Sequence, residues 1–242
     1  MQMYIYIYIM STFSGKILFM ARKLVLPAHQ ARSRESLRRL LDAATEVLGR
    51  HGVAGTTIPR IARHAGLTPG SVYRRFYDKE ALLETAILEI LERQDETLET
   101  SLAPLAASQA PLAVFAEQII TGMVTAYRAN AALLRGMRQF IQSRAHTAFG
   151  KKASNLEMGH FQRTVELFLS YATEIRHPNP RKAVSLALMI IVGALYHLVV
   201  WPAHPKHLKN LLPQDDQVLQ KELTRAFLNY LGVEGPAVRA PR

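Results

Sequence analysis

Two short helical stretches separated by a glycine constrain the fold of this chain more than any other feature. Thr56-Thr57-Ile58-Pro59 and Thr68-Pro69 each place threonine within a few residues before a proline. Threonine can cap a helix through its hydroxyl, and proline is tolerated in the first turn, where the N–H groups have no helical partner. Gly66 lies between the two signals and ends the first helix. The segment therefore predicts a helix of barely two turns, a tight turn, and a second helix that runs to Phe76 or Tyr77.

This pair of stretches has the pattern of a helix-turn-helix, whose second helix enters the major groove of DNA. Val72 and Phe76 are four residues apart, so they are expected to point into a small core. Ile61, Ala65 and Leu67 are the residues against which they would pack. The opposite face of the second helix then carries short, polar side chains that point outward.

That outward face carries groups suited to DNA. Gly70 removes side-chain bulk where the helix would press nearest to the bases, while Arg74 and Arg75 have the reach for guanine edges or phosphates. Lys79 begins the next helix, where its charge adds to backbone donors that suit a phosphate. These residue types favour nucleic-acid recognition.

Positive charge is concentrated in the same part of the chain. The 242 residues include 30 Lys and Arg against 19 Asp and Glu, a net charge of +11. Residues 21–80 hold twelve of the basic and five of the acidic residues, which favours a polyanionic partner. The sequence contains no cysteine, which excludes disulfide scaffolds, thiol nucleophiles and Cys-ligated metal sites and agrees with a reducing cytoplasm.

The stretch from Thr57 to Leu82, T-I-P-R-I-A-R-H-A-G-L-T-P-G-S-V-Y-R-R-F-Y-D-K-E-A-L, resembles the DNA-binding domain of the tetracycline-repressor (TetR) family of bacterial transcriptional regulators. The remaining chain agrees with that family only in its helical architecture. The matching positions are Thr57, Ile61-Ala62, Ala65-Gly66-Leu67, Gly70, Val72-Tyr73, Phe76 and Lys79-Glu80-Ala81-Leu82.

The resemblance implies a role for each position on the outward face. Thr57 and Lys79 match residues that contact phosphates, and Tyr73 matches an aromatic whose hydroxyl does the same. Arg75 departs from the His or Tyr that is commonest in the family, so either a phosphate or a base contact is open to it. The base-reading face falls on Thr68, Pro69, Gly70, Ser71 and Arg74, and the full set of candidate DNA-binding residues is Thr57, Arg60, Thr68, Pro69, Gly70, Ser71, Tyr73, Arg74, Arg75 and Lys79.

Helical periodicity extends on both sides of the motif and predicts an all-α fold. An N-terminal helix-turn-helix domain of three helices precedes a C-terminal helical bundle for ligand binding and dimerisation. The first helix is expected from Ser33 to Gly52, with Leu37, Leu40, Leu41, Ala44 and Leu48 as its apolar stripe. The later helices are expected at 79–100 after an Asp78 cap, and at 112–129, 131–144, 156–175, 181–200 and 216–231, with breaks at Asn130 and at Gly150-Lys151-Lys152.

The expected domains follow these helices. They are a disordered leader at 1–32, the helix-turn-helix domain at 33–78, a linking helix at 79–103, an effector-binding and dimerisation domain at 104–235, and a tail at 236–242. The leader opens with a Tyr/Ile alternation but lacks the basic start and cleavage site of a secretory signal. Met20 opens a basic segment, which suggests the hypothesis that translation begins there and that residues 1–19 are an upstream extension.

Ala183 to Trp201 is a run of nineteen residues without a formal charge, nearly the ~20 that cross a bilayer. Ser185, His197 and the Tyr196 hydroxyl argue against insertion. The resemblance implies that the last two long helices pack into a four-helix interface between two subunits. Burial as a core and interface helix, with no membrane partner, is therefore expected.

The domain after Pro104 would house a small-molecule effector, as the resemblance implies. A flexible and aromatic set of side chains in it suits an apolar or aromatic ligand, although residues at this spacing are also typical of core. The linking helix would transmit the effect of the ligand to the DNA-binding domain. The candidate lining residues are Met123, Tyr127, Met137, Phe140, Phe161, Phe168, Tyr171 and Met189.

The sequence also leaves open two functions other than transcriptional regulation. His204 and His207, with Asp215 and Asp216 nearby, are types that ligate zinc or iron and could belong to a metal-dependent enzyme. Their spacing is loose and prolines interrupt it, so a solvated loop without metal is expected. A scaffold-only interaction protein that keeps the fold is the other alternative.

The sequence as a whole predicts a cytoplasmic, sequence-specific DNA-binding regulator that is not an enzyme and needs no cofactor. One helix-turn-helix reaches only a few bases, so a homodimer that reads a palindromic operator on double-stranded DNA is expected. Repression relieved by a small-molecule effector is the expected mode of action.

Overall fold

The structure is a computed structural model that describes residues 28–107, 110–201, 210–213 and 215–233, with side chains at 33–94, 110–201, 210–213 and 215–233. The leader up to residue 27, His204, His207 and the tail from 234 lie outside these residues, as do the expectations attached to them. The described chain is all-α, as predicted. Its helices are α1 Ala28–Gly55, α2 Ile58–His64, α3 Pro69–Tyr73, α4 Lys79–Ala107, α5 Leu112–Ser143, α6 Ala148–Leu169, α7 Pro180–Leu195 and α8 Asp216–Leu231.

The described residues form two compact units that differ from the predicted linear domains. The amino-terminal unit comprises residues 28–91 and 130–153, and the carboxy-terminal unit comprises residues 92–129 and 154–233. Helices α4, α5 and α6 each contribute residues to both units. The predicted boundary at residue 104 is therefore not a boundary between compact bodies, because the end of α5 and the start of α6 belong with the helix-turn-helix.

Helix α1 begins at Ala28, so residues 28–32 of the expected disordered leader are helical. Alanine, glutamine and arginine, which dominate this segment, are good helix formers and extend the helix before its apolar stripe begins. Gly52 adopts φ 64° and ends the regular helix where the sequence predicts. The predicted stripe is buried apart from Leu37, which is half-buried.

Helix α5 continues through Asn130, where the sequence predicts a break. Asparagine in a helix is only about 0.5 kcal/mol less favourable than alanine, and packing of the helix easily outweighs this cost. Past this point Leu134 and Met137 are buried in the amino-terminal unit. A side chain at Gly136 would stand 3.0 Å from Leu48 of α1, so the two helices cross closely here.

Helix α6 begins at Ala148, eight residues before the predicted start. The Thr147 hydroxyl accepts a hydrogen bond from the Gly150 N–H at 3.1 Å and caps this end. A Cβ on Gly150 would lie 2.2 Å from the carbonyl oxygen of Arg144. The glycine is therefore needed for close packing of the turn before α6 and does not interrupt the helix.

The carboxy-terminal unit has an aromatic core. Phe168 lies 5.1 Å from Phe115 and 4.9 Å from Phe227, measured between ring centroids, and both contacts join helices that are distant in sequence. Helices α7 and α8 pack on each other. Asn179 caps α7 by accepting from the Lys182 N–H, and Asp215 caps α8 at its predicted start.

The run around α7 continues into a π-helical turn at Tyr196–Val200. Among the described residues, Pro180–Val200 is the one stretch that is long and apolar enough to cross a membrane, and half of it is buried inside the protein. The core helix of a soluble protein meets the same criterion. Its buried side, which includes Ala183, Ala187 and Ile191, faces the unit's own interior.

Candidate nucleic-acid interface

Helices α2 and α3 meet at the predicted glycine turn. Gly66 adopts φ 66°, a left-handed conformation that glycine enters without steric cost. The Leu67 N–H donates to the carbonyl of Ala62 at 2.8 Å and closes the turn. Ile61 is fully buried and Ala65 nearly so, which fixes α2 against the core as predicted.

Helix α3 is anchored by one fully buried side chain. Val72 has no exposed surface, while Phe76 and Leu67 are only half-buried, so the predicted core of this motif is shallower than expected. The helix proper ends at Tyr73, earlier than predicted, but its last turn is extended by a bond from the Phe76 N–H to the Val72 carbonyl at 3.0 Å. Thr68 caps the helix as predicted, accepting from the Ser71 N–H at 3.3 Å.

The remaining side chains of α3 form a continuous outward face. Tyr73 is 57% exposed, and Arg74 beside it is exposed as well. Gly70 leaves open space, since an added Cβ would meet nothing within 4 Å. The predicted base-reading residues Thr68, Pro69, Gly70 and Arg74 are exposed, and Ser71 is half-buried.

Thr57 precedes α2, but its side chain makes no cap hydrogen bond, so the threonine cap predicted for this helix is not formed there. Its neighbour Thr56 is buried and donates instead to the carbonyl of Gly52 at 2.7 Å, in the turn after α1. Because Thr57 is exposed and makes no cap, its hydroxyl faces solvent at the edge of the motif. This is the geometry that a phosphate contact requires.

Lys79 lies at the start of α4. Its Nζ is 3.5 Å from the Val53 carbonyl and 3.5 Å from a carboxylate oxygen of Glu80. Asp78 caps the helix by accepting from the Ala81 N–H at 2.7 Å, as predicted. The lysine is thus held half-buried beside the amino end of a long helix, where backbone dipoles add to its positive charge.

Two of the candidate arginines bond within the protein. Arg60 donates to the carbonyl of Gly55. Arg75 donates from Nη1 to the Ser33 carbonyl at 3.0 Å and from Nη2 to the Ser33 hydroxyl at 3.2 Å. The contact of Arg75 is not visible to local sequence rules, because Ser33 lies 42 residues before it.

Two exposed features of this unit are not predicted from the sequence. Tyr77 is 91% exposed in the loop between α3 and α4, although an isolated aromatic in a turn carries no distinctive sequence signal. On another side of the motif, the His64 ring nitrogen lies 2.8 Å from a Glu46 carboxylate oxygen that Arg50 also contacts at 3.3 Å. This second group joins α1 to the end of α2.

The candidate effector residues separate into two groups. Met137 and Phe140 lie in the amino-terminal unit, where Phe140 packs edge-on against Phe149 at 5.6 Å. They are core residues of that unit. The six that lie in the carboxy-terminal unit are Met123, Tyr127, Phe161, Phe168, Tyr171 and Met189, of which the first four are buried and the last two half-buried.

Tyr171 is one of the aromatic residues of this group. Burial raises the pKa of the Tyr171 phenol above its ordinary value of 10.0, and the nearby Glu174 carboxylate raises it further. Its ring stacks in a tilted arrangement on Phe115 at 4.9 Å. The phenol is therefore neutral at physiological pH and can donate a hydrogen bond.

Helix α6 also buries a polar stripe that the sequence analysis missed. Glu157 is 5% exposed, and His160 and Thr164 are buried on the same side, at spacings of three and four residues. A buried carboxylate and imidazole in an aromatic unit are unusual, since ionisable groups are seldom fully buried. These polar residues are not predicted to be buried, because the hydrophobic periodicity around them is typical of an ordinary amphipathic helix.

The two histidines of the metal alternative, His204 and His207, lie outside the described part of the chain. Within it, no group of three or more His, Asp or Glu side chains is arranged to hold an ion. Asp215 caps α8, and Asp216 accepts from Arg128 at 2.8 Å. Both carboxylates therefore have structural partners.

Comparisons with known proteins agree with this geometry. The family model of bacterial regulatory proteins of the tetR family matches residues 40–86. The regulator BetI of Cronobacter sakazakii is 25% identical over 194 residues, which cover 78% of this chain and 91% of BetI. A solved TetR-family regulator from Mesorhizobium loti aligns with a TM-score of 0.60 at 19% identity, covering 85% of this chain and 99% of that one. The Bacillus subtilis regulator FadR, solved in complex with stearoyl-CoA, aligns with a TM-score of 0.58 at 17% identity, covering 80% and 98% of the two chains.

The helix-turn-helix geometry, the family match over that motif and the agreement in fold along most of the chain lead to one assignment. The family consists of regulators and not of enzymes. The chain is a DNA-binding transcriptional regulator of the TetR family.

Proposed function

We propose that the protein acts in the cytoplasm as a homodimeric repressor that binds a palindromic operator and is released by a small-molecule effector. The observation that carries this proposal is the outward face of α3, which is anchored by buried Val72 and presents Tyr73 and Arg74 to solvent. A rigid helix with a small, polar and basic outer face fits the major groove.

Each part of this face has a proposed role. Thr68, Pro69, Gly70, Ser71 and Arg74 read base edges, while Thr57, Tyr73 and Lys79 contact phosphates on either side. Arg60 is proposed to lie at the margin of the interface, since its guanidinium already bonds to Gly55. If ~6–10 phosphates are neutralised, operator affinity is expected to fall about 10³–10⁵-fold between 50 and 200 mM salt.

Dimerisation is proposed through the outer side of α7 and α8. Leu186 and Ile190 are one helical turn apart on α7 and are 43% and 51% exposed, and Val218 of the adjoining α8 is 47% exposed. Adjacent helices with exposed aliphatic side chains form a surface that a second copy of the chain can cover. Such a pair would place two α3 helices on one palindrome.

The effector is proposed to bind in the carboxy-terminal unit, in the part of it that belongs to the predicted effector domain, 104–129 and 154–233. The ligand is proposed to be largely apolar. The aromatic interior around Phe115 and Phe168 supports an apolar ligand. The fold similarity to FadR, which holds stearoyl-CoA, makes a fatty acyl group a chemical class to test first. The buried polar stripe at Glu157 and His160 would then meet a polar group of the ligand.

Helix α4 is the proposed coupling element, because it supplies residues 79–91 to one unit and 92–107 to the other. An effector that favours the arrangement unable to bind DNA by ~1–3 kcal/mol would weaken operator binding ~5- to 150-fold. Crystal structures of the dimer with and without ligand test this role. A changed separation of the two Tyr73 residues is expected, and an unchanged separation would refute it.

The proposed function as a whole is tested with DNA from upstream of the protein's own gene. Fluorescence anisotropy at several salt concentrations should show tight, salt-dependent binding to a palindromic fragment and weaker binding to a scrambled fragment of equal length. Fatty acids, acyl-CoA esters and aromatic metabolites would then be screened for release. Equal affinity for both fragments would contradict sequence-specific regulation.

A further inference from the structure

The two hydrogen bonds of Arg75 join the end of the recognition helix to the start of α1. They run from Nη1 to the Ser33 carbonyl at 3.0 Å and from Nη2 to the Ser33 hydroxyl at 3.2 Å. A guanidinium presents its donors in a fixed fork, so two bonds to one residue set both distance and orientation. The part of α1 around Ser33 is thereby held beside the carboxy-terminal end of α3.

Arg34 follows the clamped serine directly. Its side chain is exposed and makes no ion pair with the residues that the structure describes. Glu35, the first acidic residue of the chain, lies 3.9 Å from Arg38, so its charge is shared within the helix. The opposite end of α1 differs, because Arg50 there pairs with Glu46 at 3.3 Å.

On the basis of the proposed DNA-binding function, we infer that the start of α1 is an additional contact surface for the DNA backbone. In this arrangement Arg34 neutralises a phosphate beside the groove that α3 reads. Arg75 is a positioning residue that holds this surface in place through Ser33 and does not itself touch DNA. Phosphate contacts from arginine are strong and fix the register of a protein on the duplex without reading sequence.

The test compares the salt dependence of operator binding by full-length variants. Each phosphate contact contributes about 0.9 to the slope of log K against log salt, so Arg34→Gln should reduce the slope by ~1.8 for a dimer. The ratio of operator to scrambled-DNA affinity should stay unchanged. Arg50→Gln removes an exposed arginine from the other end of the same helix and should leave the slope unchanged.

A double-mutant comparison separates positioning from contact. Arg75→Gln should reduce the slope as much as Arg34→Gln, and the double variant should lose no more than either single one. Ser33→Ala keeps every charge but removes one acceptor of the clamp, so it should reproduce part of the slope loss without any change in charge. The salt slope of Ser33→Ala therefore tests the positioning role even if Arg75→Gln does not fold.

Three results would overturn the inference while leaving the proposed function intact. These are an unchanged slope in Arg34→Gln, a further loss of ~1.8 in the double variant, which would make Arg75 a phosphate contact, and an altered base preference in Arg75→Gln. The proposed function fails separately, if the wild-type protein binds operator and scrambled DNA alike.

Discussion

Gly70 and Gly66 provide a matched pair of substitutions whose effects on stability should have opposite signs. Gly70 lies in α3, where an added methyl group would meet no atom within 4 Å. Alanine is favoured over glycine in helices, so Gly70→Ala should raise the free energy of unfolding by about 0.5–1 kcal/mol. For a protein of this size the melting temperature should rise by about 1–4 °C.

The same methyl group should weaken operator binding. It would stand on the outward face of α3, where the proposed close approach of the backbone to DNA depends on the missing side chain. Overpacking a tight contact costs about 1–3 kcal/mol, which corresponds to a loss of operator affinity of about 5- to 150-fold. Gly70→Ala should therefore be more stable and less active than the wild type.

Gly66→Ala is the control for general effects of alanine in this motif. Its added methyl also meets nothing within 4 Å, but its φ of 66° is left-handed. That conformation costs about 1–2 kcal/mol for alanine, so this variant should melt about 2–8 °C lower. Circular dichroism melts and fluorescence anisotropy at ~0.15 M salt measure both quantities. Wild-type operator affinity in Gly70→Ala would refute the close approach of α3 to DNA.

Three further predictions concern other parts of the chain. Leu186→Glu should raise the dimer dissociation constant about 100-fold or more, because it buries unpaired carboxylates in the proposed interface. Val114→Glu, which changes a similarly exposed valine of α5, should leave the dissociation constant unchanged, and light scattering that shows both variants dimeric would contradict the interface. Gly150→Ala should lower the free energy of unfolding by about 1–3 kcal/mol, since its Cβ would lie 2.2 Å from a carbonyl oxygen. Gly122→Ala, in the open middle of α5, should not lower it. Equal melting temperatures for the two variants would refute the close packing before α6. The raised pKa of Tyr171 means that its neutral form is favoured by folding, so its stabilising effect is present below pH 10.0 and is lost as the pH rises through the higher folded pKa. A 295 nm titration of the wild type minus Tyr171→Phe should place the midpoint of this ionisation above pH 10.0, and a midpoint at or below that pH would contradict the burial.

Local rules predict the motif well. Gly66, Thr68 and Asp78 act in the structure as the sequence suggests, because a positive φ or a cap depends on residues only a few positions apart. The same reasoning fails at the start of α2, where the Thr57 side chain makes no cap hydrogen bond and the Thr56 hydroxyl donates to the Gly52 carbonyl in the preceding turn. Thr56 is buried and Thr57 is exposed, a difference between adjacent threonines that the sequence does not show.

Long-range packing accounts for what the sequence does not predict. Asn130 and Gly150 read locally as breaks, yet one lies inside a continuous helix and the other permits a tight contact with the preceding turn. The engagement of Arg75 by Ser33 and the place of Phe140 in the amino-terminal unit likewise depend on residues far apart in the chain. Those contacts exist only once the helices have assembled.

The central claim is that α3 reads DNA sequence and is presented twice by a symmetric pair of subunits. The most direct test measures affinity and stoichiometry together, by anisotropy and light scattering, on a palindromic fragment from upstream of the gene and on its scrambled counterpart at ~0.15 M salt. Two chains per palindrome and a preference of about 10³-fold or more are predicted. One chain per site, or equal affinity for the two fragments, would contradict the claim.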